Sequence, residues 1–191
     1  MNKLSPMVVL AWALVCALQN IGGQSDGSRT QKPTNSKLPL NGSPQDFLTE
    51  LGTLKGRGRG AFGNEMAGEK AGDCTGAVST YDMVSCLGKE IEKTTANYKT
   101  YVGALRSIEE LDIPGGANDG KMRAKALPVD ERIRSFDRAE AAWQSYQKAQ
   151  CTAAYDAYKG GTIAPVMEIT CHLQLMRDRM RELESIYQLM H

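Results

Sequence analysis

Histidine is scarce in this sequence of 191 residues, which contains only His172 and His191. The sequence also lacks the H-E-x-x-H and phosphate-loop motifs of common enzyme classes. Hydrolytic chemistry needs a base that is held against a second reacting group. The paired carboxylates of Glu109 and Glu110 adjoin a predicted loop, where solvent would surround them. We therefore predict that the protein is not an enzyme and uses no cofactor or metal.

An excess of charge of one sign is also lacking, because the formal net charge is only +1. This balance gives no reason to expect nucleic acid or an anionic membrane as a partner. A long apolar run is missing as well. The run over residues 7–18 has 12 residues, whereas a membrane-spanning helix needs about 20. We therefore predict no transmembrane segment in the mature chain.

The same apolar run follows Lys3, and a positive residue before a short apolar stretch is typical of a secretory signal peptide. We assign residues 1–23 to this signal, with cleavage after either Ala17 or Gly23. Cys16 raises the alternative of a lipid anchor, but Val15 precedes it, where such a site has Gly or Ala. The prediction is an exported protein, either periplasmic or secreted.

Four further cysteines, Cys74, Cys86, Cys151 and Cys171, remain after the signal. Their separations of 12, 65 and 20 residues do not fit the closely spaced ligand pairs of a zinc site. A nucleophilic role is disfavoured because His172 directly follows Cys171, and adjacent residues of a helix do not face each other. An oxidising compartment favours paired cysteines, so we predict two disulfides.

Residues 24–72 are rich in Gly, Ser, Pro, Asn and Lys and contain few large apolar side chains. Such a segment cannot bury enough surface to offset the entropy lost on ordering, so we predict a flexible tail. Within it, Ser43 and Pro44 begin a short, marginal helix over residues 43–54. Arg57 and Arg59 lie between glycines in a stretch that we interpret as a solvated linker.

Residues 73–191 are predicted to form an all-α domain. Three segments repeat apolar residues at three- and four-residue steps, the pattern of amphipathic helices. The stripes comprise Val84, Leu87, Ile91, Thr95, Tyr98, Val102 and Leu105; then Val129, Ile133, Phe136, Trp143, Cys151, Ala154 and Tyr158; then Val166, Ile169, Leu173, Met176, Met180, Leu183 and Tyr187. A Gly-rich loop over 112–128 and the Gly160–Gly161 pair separate them. We predict a small disulfide-stapled bundle of about three long helices, running up, down and up, after the flexible N-terminal tail. Its predicted core residues include Trp143, Phe136 and Tyr98.

The pairing of the four cysteines has three alternatives. Cys86 lies about as far before the 112–128 loop as Cys151 lies after it. In an antiparallel pair of helices these two positions have similar heights, which favours Cys86–Cys151 and leaves Cys74–Cys171. The other two pairings stay open.

Several stretches carry a more specific pattern. DCTGAVSTYDMVSC, which begins at Asp73, has two cysteines 12 residues apart. RAEAAWQSYQKAQC places Trp143 and Tyr146 before the third cysteine, and YKGGTIAPVMEITC places a Gly-Gly turn before the fourth. RDRMRELESIY contains Arg179 and Leu183 near the end. Together, in this order, they resemble the LprI-like lysozyme-inhibitor domain of exported bacterial proteins, over residues 73–187.

Three positions depart from the family pattern. Gln147 stands where the family has arginine, Glu140 where it has glutamine, and Met176 where it has threonine. The fold is expected to tolerate these changes. If these polar positions contact a target, however, the departures would alter inhibition.

The resemblance implies an inhibitor of lysozyme-type muramidases that acts by direct protein–protein binding. Inhibitors commonly present a preorganised element to the enzyme, and the turn braced by Cys151 and Cys171 suits that role. Its candidate contact residues are Lys159, Gly160, Gly161, Thr162 and Pro165. The alternative for the turn is ordinary helix capping. The alternative for the protein is an envelope-associated structural or adaptor module that binds without inhibiting.

Overall fold

The computed structural model describes residues 43–111 and 128–189. Four helices make up this part: α1 (Pro44–Ala71), α2 (Thr80–Glu110), α3 (Val129–Ala157) and α4 (Ala164–Tyr187). The all-α, disulfide-stapled bundle is confirmed, with one helix more than the three predicted. None of these four helices is long and apolar enough to cross a membrane. The predicted signal peptide, Cys16 and nearly all of the predicted 112–128 loop lie outside the described residues.

α1 occupies a segment for which the sequence predicted a flexible tail. Its start has a capping box, because Ser43 Oγ accepts from Asp46 N at 3.3 Å and the Asp46 carboxylate accepts from Ser43 N at 2.9 Å. The helix predicted for residues 43–54 therefore exists, but it continues to Ala71 and stops at Gly72, which has φ 86°. The prediction of a flexible tail is wrong for residues 44–71, while residues 24–42 lie outside the described part.

α1 is ordered by its packing against the other helices. Leu54, Gly58, Ala61 and Glu65 are buried at three- and four-residue spacing. A Cβ atom added at Gly58 would lie 2.7 Å from the Leu189 side chain, so the backbone of α1 comes close to its neighbours there. Because this buried face consists mostly of small or charged residues, the composition of the segment resembled that of a tail.

α2 is the central helix and contacts the other three. The short connections over residues 72–79 and 158–163 make α1 antiparallel to α2 and α3 antiparallel to α4. α2 and α4 run in parallel, because Thr95 contacts Met176 and, further along both helices, Tyr101 contacts Glu184. The order of α2, α3 and α4 is therefore up, down and up, as predicted.

The hydrophobic core lies where α2, α3 and α4 meet and extends to α1. Tyr98 and Phe136 are buried in it, and the half-buried Trp143 stacks on Tyr98 with 5.1 Å between the ring centroids. The methionines of α4 serve as packing residues. The core cluster comprises Ala61, Tyr98, Tyr101, Leu105, Phe136, Met176, Met180, Leu183 and Leu189.

The disulfides join Cys74 to Cys86 and Cys151 to Cys171. The predicted pairs, Cys86–Cys151 and Cys74–Cys171, are therefore wrong. Similar height along the bundle was not sufficient, because a disulfide also requires the two Cβ atoms to face each other. Cys86 faces the turn that precedes its own helix, and Cys151 faces the helix that follows its own. Each bridge consequently closes one turn between consecutive helices.

Candidate functional site

The turn between α3 and α4 is compact and depends on glycine. Gly160 has φ 91°, a conformation that other residues rarely adopt. A Cβ atom at Gly161 would lie 3.2 Å from the Tyr158 carbonyl oxygen, which accepts a hydrogen bond from Gly161 N at 3.0 Å. Lys159 and Thr162 are exposed beside these glycines. Four of the five predicted contact residues are thus exposed on one turn.

The start of α4 places the fifth predicted residue differently. Pro165 lies in the first turn of the helix and is half-buried. Ile163 occupies the position before the helix, and no side chain, that of Thr162 included, caps α4. Ile163 is instead 47% exposed. An apolar side chain therefore projects from this turn at a position that the sequence analysis did not select.

A second turn, over residues 72–79, lies beside the first. Cys74 has φ 58°, and its carbonyl oxygen accepts from Ala77 N at 3.0 Å. Ser79 caps α2, because its Oγ accepts from Asp82 N at 3.1 Å. Val78 and Tyr81, on either side of this cap, are 94% and 82% exposed. These are the two most exposed large apolar side chains in the described part of the chain.

The two turns line one shallow groove of about 370 Å³. One wall comes from the 72–79 turn and the start of α2, and the other from Ile163 and Val166. We call this groove, together with the exposed Tyr81 that follows Thr80, the braced end. The residues that line the groove are Ala77, Val78, Ser79, Thr80, Met83, Ile163 and Val166. The sequence analysis selected the turn between α3 and α4, but none of its five candidate contact residues lines the groove. It missed the 72–79 turn, although Val78 and Tyr81 flank a recognisable capping serine inside a cysteine-closed loop.

Disulfides hold both turns of the braced end. The Cα atoms are 5.8 Å apart in Cys74–Cys86 and 5.5 Å apart in Cys151–Cys171. Cys151 is fully buried, whereas both cysteines of the other bridge are half-buried. A surface whose loops are already fixed loses less conformational entropy when it binds a partner. Each turn of the braced end is therefore constrained by one disulfide.

None of the residues that line the groove of the braced end is charged. Its only charged pair near the groove, Lys159 with Asp156 at 3.7 Å, is well exposed, and such pairs contribute little energy. His172 is half-buried, and its backbone oxygen accepts a long hydrogen bond of 3.4 Å from Gln147. Within residues 43–111 and 128–189, no cluster of three His, Cys, Asp or Glu side chains could hold a metal ion.

The three positions that depart from the family pattern lie inside the structure. Glu140 is buried, accepts from the Tyr98 hydroxyl at 2.6 Å and forms an ion pair with Arg179. Met176 is 5% exposed, and Gln147 is half-buried. These side chains lie at contacts between helices. The departures from the family pattern should therefore affect the packing of the fold more than the binding of a target.

Arg179, which the sequence analysis noted near the end of the matched stretches, also has a structural role. Its guanidinium lies 6.0 Å from the centroid of the Trp143 ring and forms ion pairs with Glu140 and Glu182. Burial alone would lower the pKa of Arg179, but the hydrogen bonds to the two carboxylates outweigh it and raise the pKa. Arg179 therefore stays charged and links α3 to α4.

The comparisons with known proteins bear on this arrangement. Residues 72–183 match the family model described as lysozyme inhibitor LprI. An uncharacterized protein, R02472, of Rhizobium meliloti (strain 1021) is 26% identical over 115 residues, which cover 60% of this chain and 78% of that protein. No solved structure matches. The matched residues contain both disulfides and the whole braced end. Since the family model covers more than half of the chain, this protein belongs to the LprI lysozyme-inhibitor family.

Proposed function

We propose that the protein is an exported, non-enzymatic inhibitor of lysozyme-type muramidases and that it acts by binding them directly. The proposal is supported by the family match over residues 72–183. It is also supported by the apolar run after Lys3, whose pattern predicts a signal peptide. Muramidases act outside the cytoplasm on the cell wall, so an inhibitor has to be exported to meet them.

The braced end is the surface that we assign to the contact. A contiguous exposed apolar patch commonly indicates an interaction site. Val78 and Ile163 line one groove, and the exposed Tyr81 lies beside it in the chain. Aromatic residues dominate the energy of many interfaces, which makes Tyr81 the expected anchor. The exposure of Val78 and Tyr81 on a disulfide-held turn is the single observation that carries this assignment.

Charge is expected to contribute little to the affinity. From Asp73 onward the chain has 17 acidic and 15 basic residues. So small an imbalance steers association only weakly. Inhibition should therefore persist when the salt concentration is raised, because the contact is mainly apolar and salt screens only the charged part.

The test uses the oxidised protein, expressed without residues 1–23, and several types of lysozyme in a cell-wall turbidity assay. We expect dose-dependent inhibition. Tyr81→Ala and Val78→Ser should each weaken it by about tenfold or more, as anchor residues do. Ile186→Ser is the matched control, because Ile186 is 62% exposed at the other end of the bundle and should leave inhibition unchanged.

Two outcomes would contradict the proposal in different ways. If the folded protein inhibits no lysozyme of any type, the inhibitor function is wrong, and an envelope-binding adaptor module becomes the better interpretation. If it inhibits but the Tyr81 and Val78 variants match the Ile186 control, the function stands and the assigned surface is wrong. Circular dichroism of every variant separates loss of contact from loss of fold.

A further inference from the structure

Glu65 of α1 has a buried carboxylate to which side chains of the neighbouring helices donate hydrogen bonds. Its carboxylate is 3% exposed and accepts three hydrogen bonds. Thr94 Oγ1 and Arg177 Nε donate to Oε1, each at 2.7 Å, and Asn97 Nδ2 donates to Oε2 at 2.8 Å. Three donors from two helices thus converge on one carboxylate supplied by a third helix.

All three donors belong to the residues that match the family, whereas Glu65 does not. The match covers residues 72–183, and α1 ends at Ala71. Arg177 is additionally held by the Asp73 carboxylate, which accepts from Nη2 at 2.9 Å and also from Nη1. The guanidinium is therefore fixed in position by a matched residue, with its Nε directed at the site of Glu65.

Around Glu65, α1 packs against α2 and α4 through further contacts. α1 lies along α2 and reaches α4, with Gly58 and Ala61 against the bundle and Phe62 5.7 Å from the Tyr101 ring. A second ion pair, Arg181 with Glu69, joins α1 to α4 closer to the rim. The contact thus combines close backbone approach, an aromatic pair and a central buried carboxylate.

α1 is a poor helix by its own sequence. Gly52, Gly56, Gly60, Gly63 and Gly68 all lie on exposed positions of it, and an added Cβ at any of them would meet nothing within 4 Å. Packing therefore does not require these glycines, yet glycine is the weakest helix former after proline. A segment of this kind depends on its binding surface for order, and it should detach more readily than a helix with strong intrinsic propensity.

We propose that the α2–α4 face of this LprI domain is a docking groove for a helix that carries a carboxylate, and that α1 is its exchangeable occupant. Thr94, Asn97 and Arg177 form the carboxylate site of the groove. The partner that fits is an amphipathic helix with small residues on its buried face and a glutamate at the position of Glu65. The carboxylate site of this groove shares no residue with the lining of the braced end, and the inference does not depend on lysozyme inhibition.

The first test follows native-state hydrogen exchange in the oxidised protein lacking only residues 1–23. If α1 detaches by itself, its amides should exchange at least about tenfold faster than those of α2 and α4. Glu65→Gln should accelerate exchange in α1 by a further tenfold or so, because it weakens a charge-assisted contact, and should leave α4 unchanged. Glu69→Gln is the matched control; its ion pair is more exposed, so its effect should be several-fold smaller.

The second test asks whether the groove accepts a helix from another molecule. The probe is a fluorescent peptide of residues 43–71 with Gly52, Gly56 and Gly60 replaced by alanine, added to the same protein. We expect saturable binding by fluorescence anisotropy, accompanied by faster exchange of the protein's own α1. The same peptide with Glu65→Gln should bind at least about tenfold more weakly, the loss typical of one buried charged hydrogen bond.

Equal protection of α1, α2 and α4 would overturn the proposal, since α1 would then be a fixed part of one cooperative core. Binding of the two peptides with equal affinity would also overturn it, because the carboxylate site would then have no role in docking. Absence of any peptide binding, with α1 shown to open, would reject the groove as a site for an external helix.

Discussion

α1 and α4 both pack against α2, but with different chemistry. The face of α4 that enters the core consists of large apolar residues, of which Leu173, Met180 and Leu183 are at most 2% exposed. The corresponding face of α1 contains one large apolar residue, Leu54, with glycine, alanine and a buried glutamate. α4 is therefore held mainly by apolar burial, whereas α1 is held by close approach and by a small network of charges.

The difference shows that a helix can be ordered without the apolar stripe that usually reveals it. The contacts of α1 include a few specific polar ones, centred on Arg177, and a buried polar group is costly to leave without its partner. α4 instead makes many apolar contacts. Substitutions in α1 should therefore destabilise the protein by removing a single polar contact, whereas substitutions in α4 should do so by removing buried apolar volume.

The largest effect is expected for Arg177→Ala. Hydrogen bonds to Asp73, and to a lesser degree to Glu65, raise the pKa of Arg177 despite its burial, so the guanidinium is charged in the folded state. Its removal leaves two carboxylates without their cation, and breaking a buried ion pair in this way costs about 3–5 kcal/mol. Urea denaturation measures the loss. Arg181→Ala, at a more exposed pair, should cost under about 1 kcal/mol, and equal losses for the two variants would contradict this account.

Leu183→Ala tests the apolar side of the comparison. Leu183 is 2% exposed in the core, and removing such a side chain costs about 2–5 kcal/mol through lost burial and the cavity that remains. Leu54→Ala makes the same change on α1, whose buried face has fewer large apolar side chains than that of α4. We expect the smaller loss there, by the same denaturation measurement. A larger loss for Leu54→Ala would mean that α1 also depends chiefly on apolar burial.

The contacts of α2 with α3 and α4 should contribute less to stability at high pH. Burial and hydrogen bonds to Glu140 and Glu184 raise the pKa of Tyr98 and Tyr101, respectively, far above the ordinary value of 10.0. Above pH 10 the unfolded tyrosines lose their protons while the folded ones retain them, so the free energy of unfolding falls as the pH rises. The slope is at most about 1.4 kcal/mol per pH unit for each tyrosine.

The matched variant for this pH effect is the double change Tyr98→Phe and Tyr101→Phe, which removes both ionisable hydroxyls. Its stability should be lower at neutral pH, because Glu140 and Glu184 each lose a donor. Its decline between pH 10 and 12 should, however, be shallower than in the parent protein. Parallel declines of the two proteins would show that other groups cause the loss at high pH.

The sequence predicted the buried residues of α4 well and those of α2 only in part. The predicted stripe of α4 contains every apolar residue that is deeply buried after its first turn: Leu173, Met176, Met180 and Leu183. On α2, Thr94, Tyr101 and Ala104 are buried outside the predicted stripe. They lie on the side that faces α1. A single-stripe interpretation describes a helix with one packed face, and α2 has packed sides toward three helices.

The candidate site was predicted in part for a similar reason. The Gly160–Gly161 turn is a local feature, since glycine at φ 91° can be anticipated from its place after a helix. The disulfide pairing and the nearness of the 72–79 turn are not local. They depend on the direction in which each cysteine faces, and on which turns share an end of the bundle. Periodicity determines neither, so Val78 and Tyr81 were missed.

The smallest predicted effect concerns the glycines of α1. It tests why the composition of this segment predicted a flexible tail although the segment forms a helix. Gly52, Gly56 and Gly60 are exposed and have open space for a Cβ atom, so alanine at each should raise stability by about 0.5–1 kcal/mol. Gly58→Ala should give no such gain, because Leu189 must move aside. Thermal unfolding of the four single variants measures these changes in stability. Gains at the three exposed positions but not at Gly58 would show that α1 is ordered by its one packed face against an unfavourable intrinsic propensity. If Gly58→Ala stabilised the protein as much as the others, the close approach of α1 to the bundle would not be what holds this helix.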